Sequence, residues 1–91
     1  MRVGKVIGNV WATKKDEGLE GFKLLVIDQI NPRTKEHDKT IVAVDAVGAG
    51  PGEMVLIVGG STARFAANQH APTDATVVGI IDTLEIYEES E

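Results

Sequence analysis

The sequence contains no cysteine, which excludes disulfides and cysteine-ligated metals from its stability and chemistry. Aromatics are scarce: Trp11, Tyr87, Phe22 and Phe65 make up 4% of the chain. A single-strand nucleic-acid binder needs a basic groove with stacking platforms, and neither is evident. The net charge of -5 also opposes phosphate neutralisation, so nucleic acid is not an expected partner. No run of about 18 apolar residues is present, which argues against a membrane-spanning helix. The opening "MRVGKVIGNV" places glycines where a signal peptide needs an unbroken apolar stretch, so a cytosolic address is expected. Histidine is limited to His37 and His70, both in polar stretches. Neither stands at ligand spacing beside Asp28, Asp45, Asp74 or Asp82, and no metal or cofactor is expected.

What remains is a chain of 91 residues, 43% of them hydrophobic, which is the size of one domain. The domain is expected to occupy 1–91, with residues 85–91 as a solvated acidic tail. So short a chain buries a modest share of its surface, and association with further copies is a common remedy.

Period-two alternation dominates. "RVGKVIGNVWAT" reads as a first strand, with Gly4, Val6, Gly8, Val10 and Ala12 on one face and Ile7 and Trp11 on the other. "FKLLVIDQI" is apolar on both faces, so both are expected to be covered. "NPRTKEHDK" opens on a turn signal and is a charged hairpin loop. "TIVAVDAV" and "EMVLIVGG" are a third and fourth strand. "STARFAANQ" reads as a helix of about two turns with Ser61 as its N-cap, ended before Pro72. "TVVGIIDTLEIY" is the last strand. Strands this closely spaced, with no room for a βαβ crossover, imply an all-β chain with one short helix, closed into a small five-stranded barrel.

"VDAVGAGPGEMVLIVGG" raises the question of a phosphate cradle. A dinucleotide fingerprint G-x-G-x-x-G lies between a strand and a helix. Here the position three after Gly50 is Glu53, and the segment that follows, "MVLIV", is strand-like. Without a helix N-terminus no dipole is aimed at a pyrophosphate. The glycines are read as serving a tight β–β connection in which Pro51 presets φ, and as letting backbones approach closely. Several copies meeting on a symmetry axis could ring a narrow channel with main-chain groups.

"VAVDAVGAGPGEMVLIVGGSTAR" followed by "PTDATVVGIIDTLE" resembles the EutN/CcmL family of pentameric vertex proteins of bacterial microcompartment shells. "GKVIGNVWATKK" and "LEGFKLLVI" match the start of that family, so the likeness runs from about Val3 to Leu84. Thr62 and Thr73 are its departures from the usual motif, and the middle hairpin and tail are its variable parts. The resemblance implies a barrel of oligonucleotide-binding-like (OB-like) topology. It further implies a homopentameric ring shaped like a truncated pyramid, closing the corners of a polyhedral shell whose facets are hexameric shell proteins. It places the loop of Gly48, Ala49 and Gly50 near the five-fold axis, lining a small pore. It puts "GGSTAR" near the protomer boundary, where Ser61, Arg64, Asp74 and Asp82 are the expected interface residues.

Chemical readings of the same residues are weaker. Gly59, Gly60 and Ser61 could form an anion nest beside Arg64. The plainer reading is a capped helix and an arginine paired with a carboxylate. Asp45 and Asp82 interrupt apolar runs, so each is expected to meet a backbone amide or an arginine. No nucleophile–base arrangement is present and Ser61 has no histidine the sequence can place, so an enzyme is not expected. Trp11 and Tyr87 are read as packing or subunit-contact residues. Two alternatives stand beside the shell reading. One is a co-chaperonin-like ring, which would need a long mobile apolar loop, whereas the longest connection here is charged. The other is an OB-type binding module, which the acidic charge opposes.

Overall fold

The computed structural model describes residues 1–68 and 71–88. Five strands carry the fold: β1 (Arg2–Val10), β2 (Lys23–Ile30), β3 (His37–Asp45), β4 (Met54–Gly59) and β5 (Ala75–Ile80). A single turn of 3-10 helix, Glu17–Leu19, lies between β1 and β2, and one helix, α1 (Ser61–Ala67), between β4 and β5. The strands close in the order β1-β2-β3-β5-β4, with β4 returning to β1. Every junction is antiparallel except β3–β5, which is parallel and holds only the pairs Val44↔Thr76 and Asp45↔Val77. The all-β barrel with one short helix expected from the alternation is what the chain forms.

The interior is filled by the alternate residues of each strand: Val6, Leu25 and Ile27, Ala43, Val55 and Ile57, and Val77. Burying these aliphatic faces drives closure, and closure leaves few strand edges open to aggregation. Gly4 permits the closest crossing. A Cβ there would run into Ile27 Cγ2 and stand 3.1 Å from the Asp28 carbonyl oxygen. The simple alternation of β1 fails at one point. Val6 pairs with Ile27 and Gly8 with Val26, so Ile7 is the extra residue of a bulge and is exposed. Gly8 therefore shares the outer side with Val26 instead of the inner side with Val6.

The hairpin between β2 and β3 is tied by Asn31. Its Oδ1 accepts from the Arg33 and Thr34 amides at 2.9 and 3.2 Å, and its own N–H donates to the Glu36 carbonyl at 2.9 Å. β3 thus begins at His37, three residues before the expected start at Thr40, because charged side chains pointing into water do not prevent backbone pairing with β2.

Two further expectations are corrected. Ser61 is not the N-cap of α1. The cap is Gly60, at φ 63°, and no side chain bonds there. A left-handed turn is required between β4 and α1, and glycine alone adopts it without strain. The last strand stops at Ile80, well short of Tyr87. β4 starts at Met54, whose carbonyl takes the Ile81 amide at 2.8 Å, and among the described residues no further partner backbone continues the ladder. Beyond it the chain runs exposed to Glu88, which pairs with Arg33 of the hairpin at 2.5 Å. Residues 89–91 of the acidic tail, and His70, lie outside the described residues.

Candidate functional site: the glycine loop and the exposed faces

The loop from Ala46 to Glu53 leaves β3 and enters β4. Asp45, the last residue of β3, is buried and organises it. Its Oδ1 accepts from the Val47 and Gly48 amides at 3.1 and 3.0 Å, and its Oδ2 from the Ala49 amide at 3.0 Å. The amides that could form an anion cradle are therefore already filled by the chain's own carboxylate. Gly50 to Glu53 forms a tight turn closed by Glu53 N–H to the Gly50 carbonyl at 3.2 Å. Pro51 occupies its second position and Gly52, at φ 78°, its third, the geometry of a type II turn. The Glu53 carboxylate takes the Gly50 amide at 2.5 Å. Lys23, opposite Asp45 in the β2–β3 register, donates to the Ala49 carbonyl at 3.3 Å.

The three loop residues expected at a pore separate by burial. Gly48 is exposed, at φ 81°, with nothing within 4 Å of the position a Cβ would take. Gly50 is half-buried. Ala49 is 0% exposed and belongs to the barrel core, so its side chain lines no opening in this chain. Its amide must face Asp45, which turns its methyl inward.

Ser61, Arg64, Asp74 and Asp82 all lie on the surface of the single chain. The Gly60 amide donates to the Asp74 carbonyl at 3.1 Å, which brings the start of α1 beside Asp74. Asp82 is not brought to them, since β5 separates Asp74 at one end from Asp82 beyond the other. Asp82 instead borders an apolar groove with Val3, Leu56, Ile80 and Leu84. Asp45 meets backbone amides as its place in an apolar run suggested; Asp82 meets neither an amide nor an arginine among the described residues. Around these polar groups the chain exposes large apolar side chains, among them Trp11 at 90% and Phe65 at 73%, together with Ile7 and Val42.

One contact was missed. His37 opens β3 and its Nδ1 meets Asp28 Oδ2 across the hairpin. Spacing along the chain could not reveal it, because the pairing depends on the irregular register between Asp28 and Ile30. Lys23 is likewise invisible as a loop anchor until the β2–β3 register is known. The amides that Asp45 takes, from Val47 to Ala49, follow from the same residue, since aspartate side chains commonly accept from amides just downstream.

A family model described as ethanolamine utilisation protein EutN/carboxysome (EutN_CcmL) matches residues 1–82. The chain belongs to the EutN/CcmL family. It is 48% identical over 86 residues to the bacterial microcompartment shell vertex protein GrpN of Rhodospirillum rubrum, covering 93% of this chain and 97% of that protein. It is 42% identical over 87 residues to the carboxysome shell vertex protein CcmL of Synechocystis, covering 94% and 87%. Among solved structures, the GrpN pentameric microcompartment shell protein from Rhodospirillum rubrum superposes with a TM-score of 0.85 at 46% identity, over 96% of this chain and 100% of that one. An ethanolamine utilization protein EutN superposes with a TM-score of 0.89 at 39% identity, over 94% and 91%. This EutN/CcmL chain therefore shares fold and nearly full length with proteins named as shell vertices.

Proposed function

We propose that this chain is a structural vertex protein of a bacterial microcompartment shell, active as a homopentamer in the cytoplasm and not as an enzyme. The observation that carries the reading is the full-length likeness to a GrpN structure described as pentameric, at a TM-score of 0.85. Physical features of the chain agree with it. A heterologous ring requires two different faces of one protomer that fit each other. This small barrel exposes apolar side chains on several sides, among them Ile7 on β1, Val42 on β3 and Phe65 on α1.

In the ring, the glycine loop lies near the five-fold axis, with Gly48 and Gly50 at the opening and Ala49 anchoring it from inside the barrel. Ser61, Arg64, Asp74 and Asp82 lie at the protomer boundary, where Arg64 pairs with a carboxylate of the next copy. The flanks of the ring dock between hexameric shell proteins and supply the curvature that a flat sheet of hexamers lacks.

Native mass spectrometry tests the stoichiometry. The expected species is five times the 9.7 kDa chain; seven copies would favour a co-chaperonin-like ring, and a monomer at high concentration would overturn the proposal. Co-expression with hexameric shell proteins tests the role: closed particles are expected only when this chain is present.

A further inference from the structure

Backbone donors and acceptors of the glycine loop are used very unequally. The Ala46 amide donates to the Val77 carbonyl at 3.1 Å. Those of Val47, Gly48 and Ala49 are held by the Asp45 carboxylate, and that of Gly50 by Glu53. Pro51 has no N–H. The Gly52 amide donates to the Val6 carbonyl at 2.9 Å and the Glu53 amide to the Gly50 carbonyl at 3.2 Å. No N–H from Ala46 to Glu53 is left over. By contrast, the carbonyls of Val47, Gly48, Pro51 and Gly52 receive no donor among the described residues, and all four residues are exposed.

We infer that an opening collared by copies of this loop is an acceptor-only, electronegative ring that holds cations and hydrogen-bond donors and turns away carboxylates and phosphates. This rests on the ring proposed above, with the loop on its axis. Anion sites built from backbone need free N–H groups, and here each is occupied. A ring of free carbonyl oxygens does the reverse and substitutes for the hydration of a cation. The charges that shape the loop add to this. Each copy brings the carboxylates of Asp45 and Glu53 against the one ammonium of Lys23, a net charge of about -1 that symmetry repeats around the axis and a narrow opening concentrates. The glycine-rich motif, which in other settings cradles phosphate, has been turned into its opposite by an aspartate and a glutamate of the same chain.

The test uses crystals of the assembled protein soaked in rubidium or bromide salts, with each ion located by its anomalous scattering. Rubidium is expected at the loop carbonyls, with no bromide on the loop. Bromide on the wild-type loop amides, or no rubidium at molar concentration, overturns the inference. Glu53→Ala frees the Gly50 amide and Asp45→Asn removes the charge held by three more. A bromide site absent from the wild type is expected in each. Should Asp45→Asn fail to fold, Glu53→Ala is decisive by itself, and its failure to gain bromide shows that donor occupancy is not what repels anions. The same crystals separate this idea from the one beneath it: a loop on the outer rim sinks the axial placement of the loop, whereas a loop on the axis carrying bromide sinks only the selectivity.

Discussion

Ala49 and Gly48 are adjacent in the loop, yet enlarging them should have opposite consequences. Ala49 is 0% exposed and packs in the barrel core. Leucine there adds three carbons to a filled interior, and overpacking costs about 1–3 kcal/mol. The upper end applies, because the Ala49 amide is fixed on Asp45 and its carbonyl on Lys23, leaving the backbone little room to retreat. For Gly48 the cost is of another kind. Its φ of 81° penalises any side chain by about 1 kcal/mol, but a Cβ meets nothing within 4 Å. Gly48→Ala and Gly48→Leu should therefore destabilise the fold equally. Urea unfolding at one fixed protein concentration reads both, the concentration being held because association adds to apparent stability. With a slope of about 1 kcal/mol/M, Ala49→Leu should lower the midpoint by about 2–3 M, and either Gly48 variant by about 1 M. A wild-type midpoint for Ala49→Leu would show that the side chain faces an opening after all. A Gly48→Leu midpoint far below that of Gly48→Ala would show that Gly48 is enclosed.

Ser61→Ala should change stability by less than about 0.5 kcal/mol, because Ser61 makes no capping bond; a loss of about 1 kcal/mol in the same urea assay would restore it as the cap. Thr76→Val keeps the shape but removes the buried hydroxyl that donates to the Ala63 carbonyl at 2.7 Å and ties α1 to β5. A loss of about 0.5–1.5 kcal/mol is expected, with faster amide exchange in α1 as the accompanying sign.

The barrel was legible because its strands alternate cleanly where they are buried on one side. β2 is the exception: its run Leu24 to Ile27 is apolar on both faces, and Leu25 and Ile27 separate from Leu24 and Val26 by burial only in the folded barrel. What alternation could not supply were the points where pairing, not pattern, decides. "TLEIY" alternates as well as any strand in the chain, but β4 has ended and no backbone among the described residues pairs with it. His37 to Lys39 look like loop by composition, yet β3 runs through them, with His37 paired to Ile30 of β2. The bulge at Ile7 shifts Gly8 across the sheet without any proline or charge to announce it. At the site the same division holds. The turn at Pro51-Gly52 follows from local residue chemistry. The inward turn of Ala49 follows from Asp45 and Lys23, which come together only when β2 and β3 are in register.

The glycine content of the loop suggests softness, and its connections argue otherwise. Ala46 is bonded to β5 through Val77, and Gly52 and Glu53 exchange backbone bonds with Val6 of β1. Ala49 is bonded to Lys23 of β2. The loop itself joins β3 to β4, so eight residues touch all five strands at one end of the barrel. The weakest seam of that barrel, the two-pair parallel contact of β3 with β5, lies directly beside it. Each bond that fixes the loop therefore also fastens the seam, and displacing the loop would open the barrel. In the proposed ring with this loop on its axis, the collar would be a fixed aperture, its size set by how closely the protomers pack around the axis and not by loop motion. Glycine serves there for its conformation at Gly48 and Gly52, whose φ values of 81° and 78° demand it, while the buried carboxylate of Asp45 supplies the stiffness.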